Sequence, residues 1–345
     1  MTGCDTCNNK LRMSITEVQE QLFQLIKSRL PAEASVAEEV GKMLNLSTDS
    51  AYRRLRGEKQ LTFEELYLLA TQFRISVDQL MNIQTGGFVF QGNLINSKNF
   101  RFDAYLTGMM HQMAYFTSFK EKELYQLCKD VPIFHHWHTK ELAAFKYYLW
   151  MISIFDFPEF RRKKVEIDNY PSELWELGQK ILTLYNQLDS YELWNLEALN
   201  STIHQIEYYK ESQMFQSDYD VLALYEAVEK TIDHLEEQAT VGYKFLIDDP
   251  DKKHLGKYQM YINEILLFDN SIQAVLDNTK MTLIAHTTNN YMMTRDVTFS
   301  ENFFQYIQVL MRRSTLISEV SEKERSRFFR ILRERIARRK EALNV

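Results

Sequence analysis

Glycine and proline are scarce, with 10 and 5 copies among 345 residues. So few turn-formers exclude a collagen-like or linker-dominated chain and argue against a turn-dense all-β protein. The three cysteines, Cys4, Cys7 and Cys128, are too few for a disulfide scaffold and suit a reducing cytoplasm. Long apolar runs are also missing. The longest, Tyr147 to Phe155, is bounded by Lys146 and Asp156 and falls well short of the ~20 residues that span a bilayer. The opening MTGCDTCNNKLRMS lacks the apolar stretch of a signal peptide. A soluble, cytoplasmic protein with no membrane partner is expected. Neither a phosphate-binding P-loop, a dinucleotide fingerprint, a nucleophile elbow nor an HExxH pair occurs, so neither enzymatic activity nor a cofactor is expected.

What the chain does have is apolar mass: 45% apolar residues, with 22 Phe and 19 Tyr, enough for a sizeable core. With turn residues so rare, the expected class is mostly α, and the length allows two domains. The net charge of −6 offers no global attraction to nucleic acid, so any DNA contact has to come from a local patch.

The first eighty residues read as short capped helices. Four capping boxes, Ser14/Glu17, Ser35/Glu38, Thr62/Glu65 and Ser76/Gln79, precede apolar residues at helical spacing. Ile15, Val18, Leu22, Leu25 and Ile26 form one stripe, and Val36, Ala37, Val40 and Leu44 a second. Phe63, Leu66, Tyr67, Ala70 and Phe73 form the third. Between the second and third stripes, NLS is a short turn with Ser47 as N-cap, and a helix over 48–56 stops at Gly57. At 100° per residue, Ala51, Tyr52 and Leu55 are expected to face the core. Ser50 and Arg53 are expected outward, flanked by Asp49, Arg54 and Arg56. Arginine suits either guanine edges or phosphates. Lys59 suits the phosphate backbone, as do the first amides of the helix that begins at Val36. Against this stands charge balance, since residues 1–82 hold ten Lys/Arg and eleven Asp/Glu, and exposed arginines are commonly just a solvated face.

The stretch SVAEEVGKMLNLSTDSAYRRLRGEKQLTFEELYLLATQFRISVDQL, residues 35–80, resembles the lambda-repressor-like, Xre/Cro-type helix-turn-helix family. The matching features are VAEEVGKMLNLS, the ending RRLRGEKQLT and the closing LATQFRISVDQL. Thr48 and the acidic Asp49 stand where many members carry a polar Gln. The resemblance implies a five-helix domain that binds double-stranded DNA sequence-specifically, usually as a homodimer. Thr48, Asp49, Ser50, Arg53, Arg54, Arg56 and Lys59 would then be the DNA-binding residues. A protein-interaction scaffold whose bundle does not bind DNA is the alternative.

The expected domain plan is a flexible leader over 1–13, the helix-turn-helix domain over 14–82, a linker over 83–103 and a regulatory, dimerising α-helical domain over 104–345. Helices are expected at 104–128, 140–156, 172–188, 192–212, 218–246, 300–314 and 321–342. YINEILLFDNSIQAVLDNTKMTLIAH, 261–286, reads as a small antiparallel meander of three strands with DN turns at 269–270 and 277–278. This layout resembles bacterial one-component regulators with uncharacterised C-terminal domains, which implies a small-molecule or peptide effector without naming one.

Two further groups could carry chemistry. Cys4 and Cys7 have ligand or redox spacing but no second pair to complete a zinc set. His135, His136 and His138 could hold a transition metal with Cys128 or Glu141, or could be a loop with one ring packed and two solvated. Residues 312–345 carry a net charge of +6, with Phe328, Phe329, Leu332 and Ile336 as an apolar stripe. That segment suits a packed or dimerising helix, an auxiliary phosphate contact, or a clasp on the acidic middle of the chain.

Overall fold

The computed structural model describes residues 14–30, 34–73, 75–81, 87–92, 100–161, 163–265, 269–287 and 290–343. The leader, Cys4, Cys7 and most of the expected linker lie outside them. The chain divides into two compact units, Met1–Val89 and Phe90–Val345.

The first unit contains α1 (Ile15–Arg29), α2 (Val36–Leu44), α3 (Thr48–Leu55), α4 (Phe63–Gln72) and α5 (Val77–Leu80). The capping boxes of Ser14 with Glu17 and Thr62 with Glu65 both form. At α2, Ser35 is the N-cap residue, but its side chain makes no capping hydrogen bond. The fourth box depends on the Gln79 side chain, which lies outside the described residues. α2 ends on Asn45 in the left-handed region, a conformation that asparagine tolerates, and Ser47 then opens α3. Leu22, Phe23, Ile26, Ala37, Val40, Ala51, Leu69, Ile75 and Leu80 make the core. The first two stripes point inward apart from Ile15, which is exposed, but the third is rotated. Leu66, Leu69, Ala70 and Phe73 turn towards the core, leaving Phe63 88% and Tyr67 68% exposed.

The second unit is mostly helical as expected, but its sheet is neither small nor antiparallel. Its strands are β1 (Lys122–Leu127), β2 (Asp189–Trp194), β3 (Tyr258–Ile262), β4 (Ser271–Leu276), β5 (Thr279–Thr287), β6 (Asn290–Thr294) and β7 (Thr315–Leu316). They form one mixed sheet in the order β6-β5-β4-β1-β2-β3-β7. β1, β2 and β3 are parallel, and the flanking pairings are antiparallel. The Asp277–Asn278 turn does join β4 to β5 as a hairpin. The segment around 269–270 instead carries the chain from β3 past β2 and β1 to β4. β1 falls inside the helix expected over 104–128; the actual helix α6 (Phe102–Thr117) stops five residues earlier.

Parallel neighbours need long crossovers, and helices supply them. A 3-10 turn (Ile133–His138), α7 (Lys140–Leu149), a π-turn (Trp150–Ile154) and α8 (Ser172–Asn186) separate β1 from β2. α9 (Asn200–Glu211) and α10 (Asp218–Val241) separate β2 from β3. These helices, with α6 and α12 (Glu322–Glu341), share one large core with Leu124, Trp194, Tyr258, Met260 and Ala274 of the sheet. The opposite sheet face carries Tyr125, Leu127 and Leu193, which pack on Ile307 and Leu310 of α11 (Val297–Arg312).

α12 resolves the basic C-terminal segment as a clasp. Phe329 and Ile336 are fully buried, and α12 packs on α10. Arg333 pairs with Asp233 and Glu236, Lys340 with Glu229 at 2.8 Å, and Arg339 with Glu207 at 2.9 Å. Arg335 donates to Asn200 at 2.8 Å.

Candidate nucleic-acid interface

α3 is eight residues long and presents two very different faces. Ala51 and Arg54 are buried, and Ser50 and Leu55 are half-buried. Thr48, Asp49, Tyr52 and Arg53 are exposed, followed by Arg56, Glu58 and Lys59 beyond the helix end. Two expected placements are therefore exchanged. Tyr52, expected in the core, stands outward at 44% exposure, while Arg54, expected on phosphate, is 3% exposed.

The cause is a half-buried acidic partner on α4. The Arg54 guanidinium donates to Glu65 through Nη2 at 2.5 Å and Nε at 3.2 Å, and through Nη1 to the Ser50 carbonyl at 3.1 Å. Glu65 also accepts from the Thr62 amide at 2.9 Å, so one carboxylate orients α3 and caps α4. Burial pushes the Glu65 carboxyl up, but its bonds from Arg54 and Thr62 outweigh that and hold it below the usual range. Arg54 therefore leaves the expected DNA-contact set. Ser50 is also turned aside, with its hydroxyl accepting from Ser47 at 3.0 Å.

A second tether fixes the turn after α3. Gln19 of α1 is buried and donates to the carbonyls of Arg54 at 2.7 Å and Lys59 at 2.9 Å. Its amide oxygen accepts from the Leu61 amide at 2.9 Å. Gly57 sits inside this turn at φ 71°, where a Cβ would come within 2.8 Å of Thr16 Cγ2, so glycine is required on both counts. Sequence patterning gave no sign of Gln19 as a structural residue; a polar residue interrupting the α1 apolar stripe next to Val18 and Leu22 was the available signal.

The exposed arginines share one carboxylate. Arg56 donates to Glu58 through Nε to Oε1 at 2.6 Å and Nη2 to Oε2 at 3.4 Å, and Arg53 Nε lies 3.7 Å from the same Oε2. The hydrogen bond from Arg56 holds the Glu58 carboxyl below its ordinary range and raises Arg56 in turn.

The histidine cluster is a different kind of structure. His135, His136 and His138 are all buried, not one packed and two solvated. His135 Nε2 contacts Glu192 at 2.9 Å, and its Nδ1 lies 3.2 Å from His138 Nε2. Glu192 also accepts from Trp194 Nε1 at 2.7 Å, Tyr258 at 2.9 Å and the Tyr185 hydroxyl. Burial pushes Glu192 up, but His135 and these donors outweigh it and hold the carboxyl at about 2. Nearby, Lys244 donates to the Tyr185 carbonyl at 2.5 Å and to Ser190 at 2.8 Å, and burial lowers its ammonium to about 7. Among the described residues, no group of three or more His, Cys, Asp or Glu side chains is placed to hold a metal ion. The imidazoles pack among aromatic rings, His135 against Tyr185 and Trp194, His136 against Trp150 and His138 against His234.

Taken together, the short turn between α2 and α3, the anchored α3 and its exposed polar face define the first unit as a helix-turn-helix bundle. Residues 14–92 match the BetR domain, which spans all five helices of that bundle. No curated protein and no solved structure matches the chain. No helix among the described residues is long and apolar enough to cross a membrane.

Proposed function

We propose that this protein is a sequence-specific DNA-binding transcriptional regulator of the Xre/Cro type, with α3 entering the major groove. The observation that carries this reading is the anchoring of α3. Arg54, Glu65 and Gln19 hold the helix from behind, so that Thr48, Asp49, Tyr52 and Arg53 project from a rigid element. Base contacts from the first turns of such a helix are the usual reading geometry. Arg53 supplies a fork for guanine, Asp49 an acceptor for a cytosine amino group, and Tyr52 an apolar edge with a hydroxyl. Arg56 and Lys59 meet phosphate, and the first amides of α2 offer a second phosphate contact. In this reading the protein acts in the cytoplasm as a homodimer on paired half-sites. The second unit dimerises and responds to a small-molecule or peptide effector, whose unequal affinity for two dimer geometries shifts DNA affinity.

Selection of bound sequences from a random duplex pool tests this. A symmetric motif is expected for the wild-type chain, with enrichment lost in Arg53→Ala. A pool that stays random for the wild type would overturn the DNA reading. One observation favours a second reading, an interaction scaffold: Phe63 and Tyr67 stand exposed on one side of α4. That reading gains if the pool stays random while Phe63→Ser abolishes self-association.

A further inference from the structure

The two exposed arginines of the reading element are not free cations. One carboxylate serves both: Glu58 takes the Nε side of Arg56 in a two-contact pair and faces Nε of Arg53. Asp49 adds a second negative charge near Arg56. All four side chains are exposed, so the arrangement holds no core together, and an acid placed here is otherwise a liability at a polyanion. We infer, on the basis of the DNA-binding reading above, that Glu58 is a selectivity residue that penalises phosphate contact by Arg53 and Arg56 while leaving base contact by Arg53 intact.

The geometry separates the two kinds of contact. Glu58 approaches Arg53 from Nε, and a guanine is read through the paired Nη groups at the other end of the fork. Arg53 can therefore keep Glu58 behind it while it donates to O6 and N7, and the carboxylate orients the guanidinium. Phosphate contact is different. Arg56 already commits Nε and Nη2 to Glu58, so a phosphate must displace a carboxylate or approach beside it. Non-specific complexes depend almost wholly on phosphate contacts and bear that penalty in full. A matched complex, in which Arg53 reads a base, bears only the Arg56 part of it.

The test uses the full-length chain, a duplex carrying the motif selected by the wild type, and a scrambled duplex, each at two salt concentrations. Glu58→Gln is expected to bind the scrambled duplex about two- to fivefold more tightly, the range of exposed ion pairs. Its salt slope on that duplex should steepen by about one. On the matched duplex it should gain less than twofold or weaken, so that selectivity falls. Glu64→Gln removes the same charge from an exposed site of α4 and should leave selectivity unchanged. Equal gains on both duplexes, or an equal effect of Glu64→Gln, would overturn the inference. Failure of the DNA reading itself is visible earlier, as a wild-type chain that selects no motif.

Discussion

Arg54 and Glu65 meet fork to fork inside the helix-turn-helix unit, with contacts of 2.5 and 3.2 Å and the guanidinium 3% exposed. An arginine in the middle of a basic triplet is thus a structural anchor, while its neighbours on either side face solvent. The pair explains why α3 has a fixed rotation despite its short length.

Arg54→Ala leaves Glu65 without its counter-charge in a largely enclosed site. Breaking one side of a fully buried pair costs about 3–5 kcal/mol, and a smaller loss is expected here because Glu65 is only half-buried. Amides of the first unit should lose hydrogen-exchange protection accordingly. Tryptophan fluorescence should not change, because Trp137, Trp150, Trp175 and Trp194 all lie in the second unit. Loss of DNA binding with full protection retained would instead make Arg54 a contact residue.

Gln19→Ala strips three backbone groups of their partners at once: the Arg54 and Lys59 carbonyls and the Leu61 amide. Each unsatisfied buried group costs about 1–3 kcal/mol, less where water reaches it. The variant should be destabilised by about 2 kcal/mol or more. DNA affinity should fall even where the unit remains folded, because Lys59 is no longer held. Calorimetry of unfolding together with binding below the transition separates these two effects.

Arg53→Ala and Arg56→Ala should differ in kind. Losing a base contact relaxes preference at one position of the motif, with about 1–3 kcal/mol of discrimination removed there. Losing a phosphate contact weakens all sequences alike and reduces the salt slope by about one. Arg53→Ala is expected to behave in the first way and Arg56→Ala in the second. Binding isotherms on matched and scrambled duplexes across a salt series decide between them.

The second unit should lose stability on acidification. Burial holds His136 and His138 well below the usual imidazole range and His234 at about 4. An unfolded imidazole takes up its proton near pH 6.5. Between about pH 6.5 and 4 the unfolded chain therefore binds more protons than the folded one, and stability falls as pH falls. Each such histidine contributes up to about 1.4 kcal/mol per pH unit in that window. Glu192, held at about 2, acts in the same direction but lower on the scale: its contribution is complete above pH 4.5 and fades only below it. Urea midpoints followed by tryptophan fluorescence at pH 7.5, 6 and 5 measure the slope. A flat series would contradict the burial of these rings as neutral bases.

The first unit was largely readable because its signals are local. Ser14 and Glu17, or Thr62 and Glu65, lie three residues apart and need no distant partner. The rotation of α3 was not, because Glu65 sits on another helix and periodicity carries no trace of the pair. With only Ala51 and Leu55 as apolar anchors, Tyr52 looked like the third. In the second unit, KELYQL and DSYELW form strands covered on both faces, so Leu124, Tyr125 and Leu127 are all buried and the alternation that marks a half-exposed strand is missing. Buried Gln126, Ser190 and Glu192 break up the apolar pattern further, so these short segments do not read as strands. Parallel pairing adds to this, since β1 and β2 meet across two intervening helices. The β4–β5 hairpin was legible because its turn lies in the sequence next to the strands it joins.

The central position of β1 also sets an order of birth for the two units. Its neighbours are β2 on one side and β4 on the other, and β4 leaves the ribosome far later than β1. At roughly 5–20 residues per second, β1 waits on the order of ten seconds for that second edge to be covered. All the core contacts of the helix-turn-helix unit close within its own short stretch of chain. A nascent polypeptide therefore carries a finished helix-turn-helix bundle while the sheet of the second unit is still open.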